Sequence, residues 1–191
     1  LVRRFVPEAS ARAQFDRLAA IGLGVLEQAV EGTVGAELFA GQAVVAAQLV
    51  ARSSADASLL RQWLVSPPAG LDGYVDFRWA VVTSLAASGA LSLGELDLQS
   101  EADRSTSGRL AYLYARAAMP DSAVKRWAFD QVVSPSAGLT NHEQLELARG
   151  LWRAPDPALV REFVAPFLAA VPGMHEWMGA DAVHHLLRFA F

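Results

Sequence analysis

Residues 10–32, SARAQFDRLAAIGLGVLEQAVEG, place Phe15, Leu18, Gly22, Leu26 and Ala29 at successive intervals of three or four, with Arg12, Asp16, Glu27 and Glu31 between them. Side chains at that interval share one face of a helix, so the spacing predicts an amphipathic helix with one side against a neighbour and its charges in water. Gly32 is its expected stop. Gly22 and Gly24 lie inside the pattern, each costing up to about 1 kcal/mol against alanine, and close approach of a neighbouring helix is the expected reason for both.

The same period continues along the chain, and no run of period-two alternation bounded by hairpin turns interrupts it. A second helix is expected from near Ala36 to Arg52, apolar on most sides through Leu38, Phe39, Val44, Val45, Leu49 and Val50, and therefore largely buried. Asp56 is placed to cap a short helix holding Leu59, Leu60, Trp63 and Leu64, which Ser66-Pro67-Pro68-Ala69-Gly70 must end because prolines remove donors and fix φ. A loop to Tyr74 follows.

Further helix starts carry a mechanism, since an acceptor side chain at the N-cap takes up amide groups that the first turn leaves unpaired. Ser92 with Glu95, and Thr140 with Glu143, have capping-box spacing. Asp121 is set to cap a helix with Val124, Trp127, Ala128 and Val132. Asp156 before Pro157 reads as cap then proline, with Pro166 expected to bend or break that helix. The sum is about nine or ten helices joined by short turns. The fold class is all-α, one helical domain over residues 1–191, and the regular succession without a strict sequence repeat suggests stacked helical hairpins.

With 191 residues the chain is long enough to bury a sizeable core without staples, and it contains no cysteine, which excludes disulfides, thiolate metal sites and cysteine nucleophiles. The net charge is −4 and the 16 Lys and Arg residues are scattered, so a nucleic-acid backbone finds no basic stripe. Polar residues or glycines interrupt every apolar run short of a membrane span, and no membrane association is expected. The start at Leu1-Val2-Arg3-Arg4, without an initiator methionine or a signal-peptide core, reads as a piece of a longer polypeptide, with the cytoplasm as the expected location.

Chemistry-bearing patterns are few. His142-Glu143 lacks the second histidine that the zinc-protease helix needs four residues on, since position 146 is glutamate, and both residues fit a helix first turn instead. His184 and His185 are adjacent and diverge by roughly 100° on a helix. The pairs Asp97 with Glu101 and Glu143 with Glu146 have the spacing of a solvated helix face. Nucleophile-elbow, phosphate-loop and dinucleotide-loop patterns are absent from the sequence. The tryptophans Trp63, Trp79, Trp127, Trp152 and Trp177 each fall on or beside a different helix, as core anchors do.

Several strings, in order, carry a resemblance. They are Leu59-Leu60-Arg61-Gln62-Trp63-Leu64, Gly70-Leu71 followed by Asp76-Phe77-Arg78-Trp79, and Asp103-Arg104-Ser105-Thr106-Ser107-Gly108. Then come Ala115-Arg116-Ala117-Ala118-Met119-Pro120-Asp121, Lys125 with Trp127, Asn141, Gly150-Leu151-Trp152 and Phe163-Val164-Ala165-Pro166-Phe167. From Phe15 to Phe191 the chain resembles the C-terminal helical domain of bacterial M1-family zinc aminopeptidases (aminopeptidase N), with Thr106 one position late and Trp127 one early against the family pattern.

The resemblance implies a HEAT- or armadillo-like curved superhelix of helical hairpins that covers the catalytic domain, walls the substrate chamber and controls peptide access. The parent enzyme would remove N-terminal residues from peptides. The partners implied are that catalytic domain and peptide substrates. The zinc, its His-Glu-x-x-His helix and the Gly-x-Met-Glu-Asn loop would belong to the catalytic domain, so this chain is expected to hold no cofactor, metal ligand or catalytic residue. Arg78, Asp103, Arg116 and Asn141 are the polar candidates for facing the channel or fixing helix contacts. Two other classes stand beside this reading: a free-standing helical-repeat protein-interaction module, and a hydrolase built on His184 and His185.

Overall fold

The computed structural model describes residues 8–30, 36–53, 56–154 and 156–190. These form ten α-helices and no strand among the described residues: α1 Glu8–Val30, α2 Ala36–Ser53, α3 Ala57–Val65, α4 Val75–Ala87, α5 Leu93–Ala102, α6 Thr106–Ala118, α7 Ser122–Val133, α8 Asn141–Leu151, α9 Ala158–Met174 and α10 Ala180–Ala190. A single 3-10 turn, Pro135–Ala137, lies between α7 and α8. The all-α expectation holds. The chain forms two compact units, Leu1–Leu85 and Ala86–Phe191, divided inside α4.

In the first unit α1 and α2 pack against each other. Ala19, Gly22 and Leu26 of α1 are buried, Phe15 and Leu18 are half-buried, and Arg12, Asp16 and Glu27 are exposed, as the spacing requires. Ala29 has no described side chain, and Glu31 and Gly32 lie outside the described residues. A β-carbon on Gly22 would stand 2.6 Å from Val50 Cγ2 and 2.9 Å from the Ala46 carbonyl oxygen, so this glycine is where α2 comes close. Gly24 meets nothing within 4 Å, and the close-approach reading fails there.

The burial of α2 differs from the expectation. Ala43, Ala46, Ala47, Val50 and Ala51 are buried, Val44 and Leu49 are half-buried, and Val45 is 67% exposed. Small residues let two helix backbones approach, so alanines, together with Val50, form the inner stripe. Leu38 and Phe39 have no described side chains. α3 starts where expected, with Asp56 Oδ1 accepting the amides of Ser58 and Leu59 at 2.9 and 3.1 Å, and its Trp63 packs on Phe77 of α4 at 5.6 Å between ring centres.

The second unit is a two-layer array. α6 and α8 lie side by side and parallel: Arg109 pairs with Glu143 at their starts, and near their ends a β-carbon on Gly150 would meet the Tyr114 carbonyl oxygen, Ala117 Cβ at 2.7 Å and the Ala118 nitrogen at 3.1 Å. α10 packs on the α8 side of this layer. α7 and α9 pack together as the other layer, with Arg126 Nη2 2.7 Å from Glu162 Oε2 and Phe129 stacked on Phe163 at 5.1 Å. Alternate helices therefore share a layer, the arrangement that successive helical hairpins produce.

Phe163 and Phe167 of α9 are fully buried between the layers, and burying such a side chain stabilises by roughly 1.5–3 kcal/mol. Trp152 at the end of α8 meets Phe167 edge-on at 5.4 Å. The predicted caps are in place: Ser92 and Glu95 form a capping box, as do Thr140 and Glu143, and Asp121 Oδ1 accepts the Val124 amide at 2.9 Å.

Two expectations for α9 need correction. Pro157 itself occupies the cap position, with Asp156 Oδ1 still accepting the Ala158 amide at 2.8 Å. Pro166 does not break the helix, which continues through it and through Pro172 to Met174. Pro166 is exposed while Phe163 and Phe167 on either side are anchored, so water can serve the carbonyl that loses its amide partner.

Candidate functional site

The chemistry of the second unit concentrates around the C-terminal ends of α6 and α8. Lys125, in the first turn of antiparallel α7, is fully buried. Its Nζ donates to the carbonyl oxygens of Ala117 at 2.6 Å and of Gly150, Leu151 and Arg153 at 3.0 Å each. Helix ends leave carbonyls without amide partners and carry partial negative charge, so one ammonium serves the ends of two helices at once. An ammonium has three hydrogens for these four acceptors, so at least one is shared. Burial pushes the Lys125 amine down to about 7, and the Arg153 guanidinium adds to the effect; the four carbonyls act in the opposite sense, favouring the charged form.

Around this lysine lie two aromatic and arginine groupings. On one side, Tyr112 of α6 donates its phenol hydrogen to Asp97 Oδ1 of α5 at 2.8 Å and accepts from Arg116 Nη1 at 3.3 Å, while the Arg116 guanidinium lies 3.8 Å from the centre of the Trp127 ring. Burial first, and then the bond to Asp97, raise the Tyr112 phenol above its ordinary 10.0. On the other side, Tyr114 carries two guanidiniums on its ring, Arg149 at 5.0 Å and Arg153 at 5.7 Å from the centre. Arg153 Nη1 also donates to the Tyr114 hydroxyl at 3.1 Å, and Arg149 Nη1 is held by both oxygens of Glu146 at 2.6 and 2.8 Å.

Of the four polar candidates, the three in the second unit, Asp103, Arg116 and Asn141, do not share one end of α6 and α8. Arg78 is exposed on α4 in the first unit. Asp103 is the C-cap of α5 and accepts the Ser105 amide at 3.1 Å; a β-carbon on Gly108 would collide with its carboxyl group. Asn141 is exposed at the first residue of α8. Both lie toward the starting ends of α6 and α8. Arg116 lies two turns farther along α6 than Arg109, about 10 Å by helical rise, beside the Lys125 junction.

The Glu143 and Glu146 pair is divided between roles. Glu143 accepts the Thr140 amide at 2.9 Å and Arg109 Nε at 3.0 Å, and these contacts, the Thr140 amide foremost, hold its carboxyl below the usual range. Glu146 serves Arg149. His142, His184 and His185 are exposed. Among the described residues no group of three or more His, Asp or Glu side chains is placed to hold a metal ion, and no helix is long and apolar enough to cross a membrane.

Sequence reading missed the roles of Lys125, Tyr114 and Arg153. For Lys125 a signal existed: it shares the three-four spacing of Ala128, Phe129 and Val132, all buried, so a cation stood on the apolar stripe of its helix. For Tyr114 and Arg153 none did, because their meeting depends on how α6 lies against α8. No protein-family model matches the chain, and comparison with curated proteins finds no matching sequence.

Proposed function

We propose that this chain is a non-catalytic, cytoplasmic C-terminal helical domain of an M1-type zinc aminopeptidase, walling the chamber in which the parent enzyme trims peptides and limiting which peptides enter. The zinc and the reacting groups belong to the catalytic domain of that enzyme. One observation carries the reading: several of the strings that resemble the family, spread over residues 103–152, converge on one parallel helix pair. Asp103 and Gly108 meet at its start, and Ala117, Lys125, Gly150 and Leu151 meet at its end. The strings are thus the joints of the helical array, as expected of a domain recognised by its scaffold and not by a reaction centre.

The test is the reading frame upstream of Leu1. It is expected to encode His-Glu-x-x-His with a downstream glutamate and the Gly-x-Met-Glu-Asn loop, and deletion of the present region from that enzyme is expected to change its preference for peptide length while leaving bound zinc in place. A start codon close to Leu1 would overturn the reading and leave a free-standing interaction module.

A further inference from the structure

Three basic side chains, Lys125, Arg149 and Arg153, come together at the end of α8, where Glu146 holds Arg149. Arg153 meets no carboxylate within ion-pair distance among the described residues. The hydrogen bond that its guanidinium makes there is to a neutral phenol, and its Nε is buried without an acceptor. The helix-end carbonyls that could soften its charge are committed to Lys125. Arg116, on the other side, also has a buried Nε without an acceptor, but through Tyr112 it is relayed to the Asp97 carboxylate.

We propose that Arg153 and Arg149, spread on the ring of Tyr114, form a receptor for a carboxylate carried by an acidic peptide. The Tyr114 ring holds both guanidiniums within cation–π range and so positions them before the ligand arrives. A guanidinium presents paired N–H groups that match the two oxygens of a carboxylate. The guanidinium without a carboxylate is that of Arg153, which a single carboxylate neutralises, whereas a dianion would bring a second negative charge beside Glu146. An anion on Arg153 also offsets the positive field that Arg153 exerts on Lys125, so binding at the surface is linked to a buried group. This inference does not depend on the proposed function, because the chain itself binds the ligand whether or not a catalytic domain precedes it.

The experiment titrates the whole 191-residue chain with acetyl-Gly-Glu-Gly-Glu-Gly-amide, following the Tyr114 ring and Lys125 ε-methylene resonances by NMR. Saturable binding is expected, weakened about tenfold or more in Arg153→Gln with its melting temperature retained, together with an upward shift of the Lys125 titration in the bound wild type. Equal binding of the glutamine version of the peptide, equal binding by Arg153→Gln, or an absence of saturation would overturn the proposal. An all-glycine peptide with a free carboxyl terminus separates the two sources of carboxylate. If it binds alone the receptor is for the terminus, and the acidic-peptide assignment falls.

Discussion

The Lys125 ammonium lies 2.6 Å from the carbonyl oxygen of Ala117, eight residues earlier and on the preceding helix, and the same nitrogen reaches three carbonyls at and beyond the end of α8. A residue of the first turn of α7 is therefore the tie between two other helices. Truncating it removes the donor from all four acceptors and leaves a cavity, so Lys125→Ala is expected to cost roughly 3–5 kcal/mol. Lys125→Met keeps most of the volume and loses only the hydrogen bonds, and roughly 1–3 kcal/mol is expected. Urea unfolding of the two variants beside the wild type measures both. Equal costs would mean that the lysine acts as a spacer and the carbonyls do not need it.

The same residue sets a pH dependence. In the fold the Lys125 amine titrates near 7, against an ordinary value of 10.5, so between those limits the unfolded chain binds more protons than the folded one. Stability contributed by this group therefore rises with pH from about 7 toward about 10 and is flat below. Tyr112 acts oppositely at the upper end: its phenol is raised above 10.0, and its contribution is present below that value and lost as pH rises through the folded one. Unfolding free energies measured from pH 6.5 to 9.5 should climb in the wild type and lose that climb in Lys125→Met (about one proton's worth of slope). Identical profiles would show that the carbonyl cage holds the proton fully against burial.

Gly22 and Gly24 stand two residues apart on α1 and should respond to alanine in opposite directions. At Gly24 a β-carbon meets nothing within 4 Å, so the variant gains helix propensity and is expected to stabilise by up to about 1 kcal/mol. At Gly22 the new methyl group would stand 2.6 Å from Val50 Cγ2 and 2.9 Å from the Ala46 carbonyl, and displacing backbone is expected to cost about 1–3 kcal/mol net. Thermal unfolding of the pair separates the two effects, and a stabilised Gly22→Ala would show that α1 and α2 have room to part.

Caps were legible in the sequence because a cap acts within four residues: Ser92 with Glu95, Thr140 with Glu143, Asp56 and Asp121 each meet their amides as spacing required. The inner face of α2 was legible at Val50 but not at Val45, because hydrophobicity alone favoured both whereas the face turned to Gly22 is made of Val50 and small alanines. Pro166 was judged by its missing amide, and the anchoring of Phe163 and Phe167 outweighed it. The grouping around Tyr114 joins α6 to residues 35 and 39 positions later, 149 and 153, which no local pattern announces. Chemistry confined to one turn could be read; chemistry made by the parallel pairing of α6 and α8 could not.

That pairing is also held at its starting end by Glu143, where one carboxylate closes the cap of α8 and binds Arg109 of α6. Its side chain is 17% exposed, so the contacts are partly sheltered from water, although Arg109 at 52% is not. The folded carboxyl is held below its ordinary 4.5, chiefly by the Thr140 amide, so the contribution is present above that value and is lost as pH falls through the lower folded one. Glu143→Gln keeps an acceptor for the cap but removes the charge. A cost of about 0.5–1.5 kcal/mol at pH 7 is expected, shrinking as pH falls below the ordinary carboxylate range. Arg109→Met, measured in parallel, should cost less than Glu143→Gln, since it leaves the cap intact. If Arg109→Met costs as much or more, the cross-helix ion pair and not the cap is what Glu143 contributes to the joint.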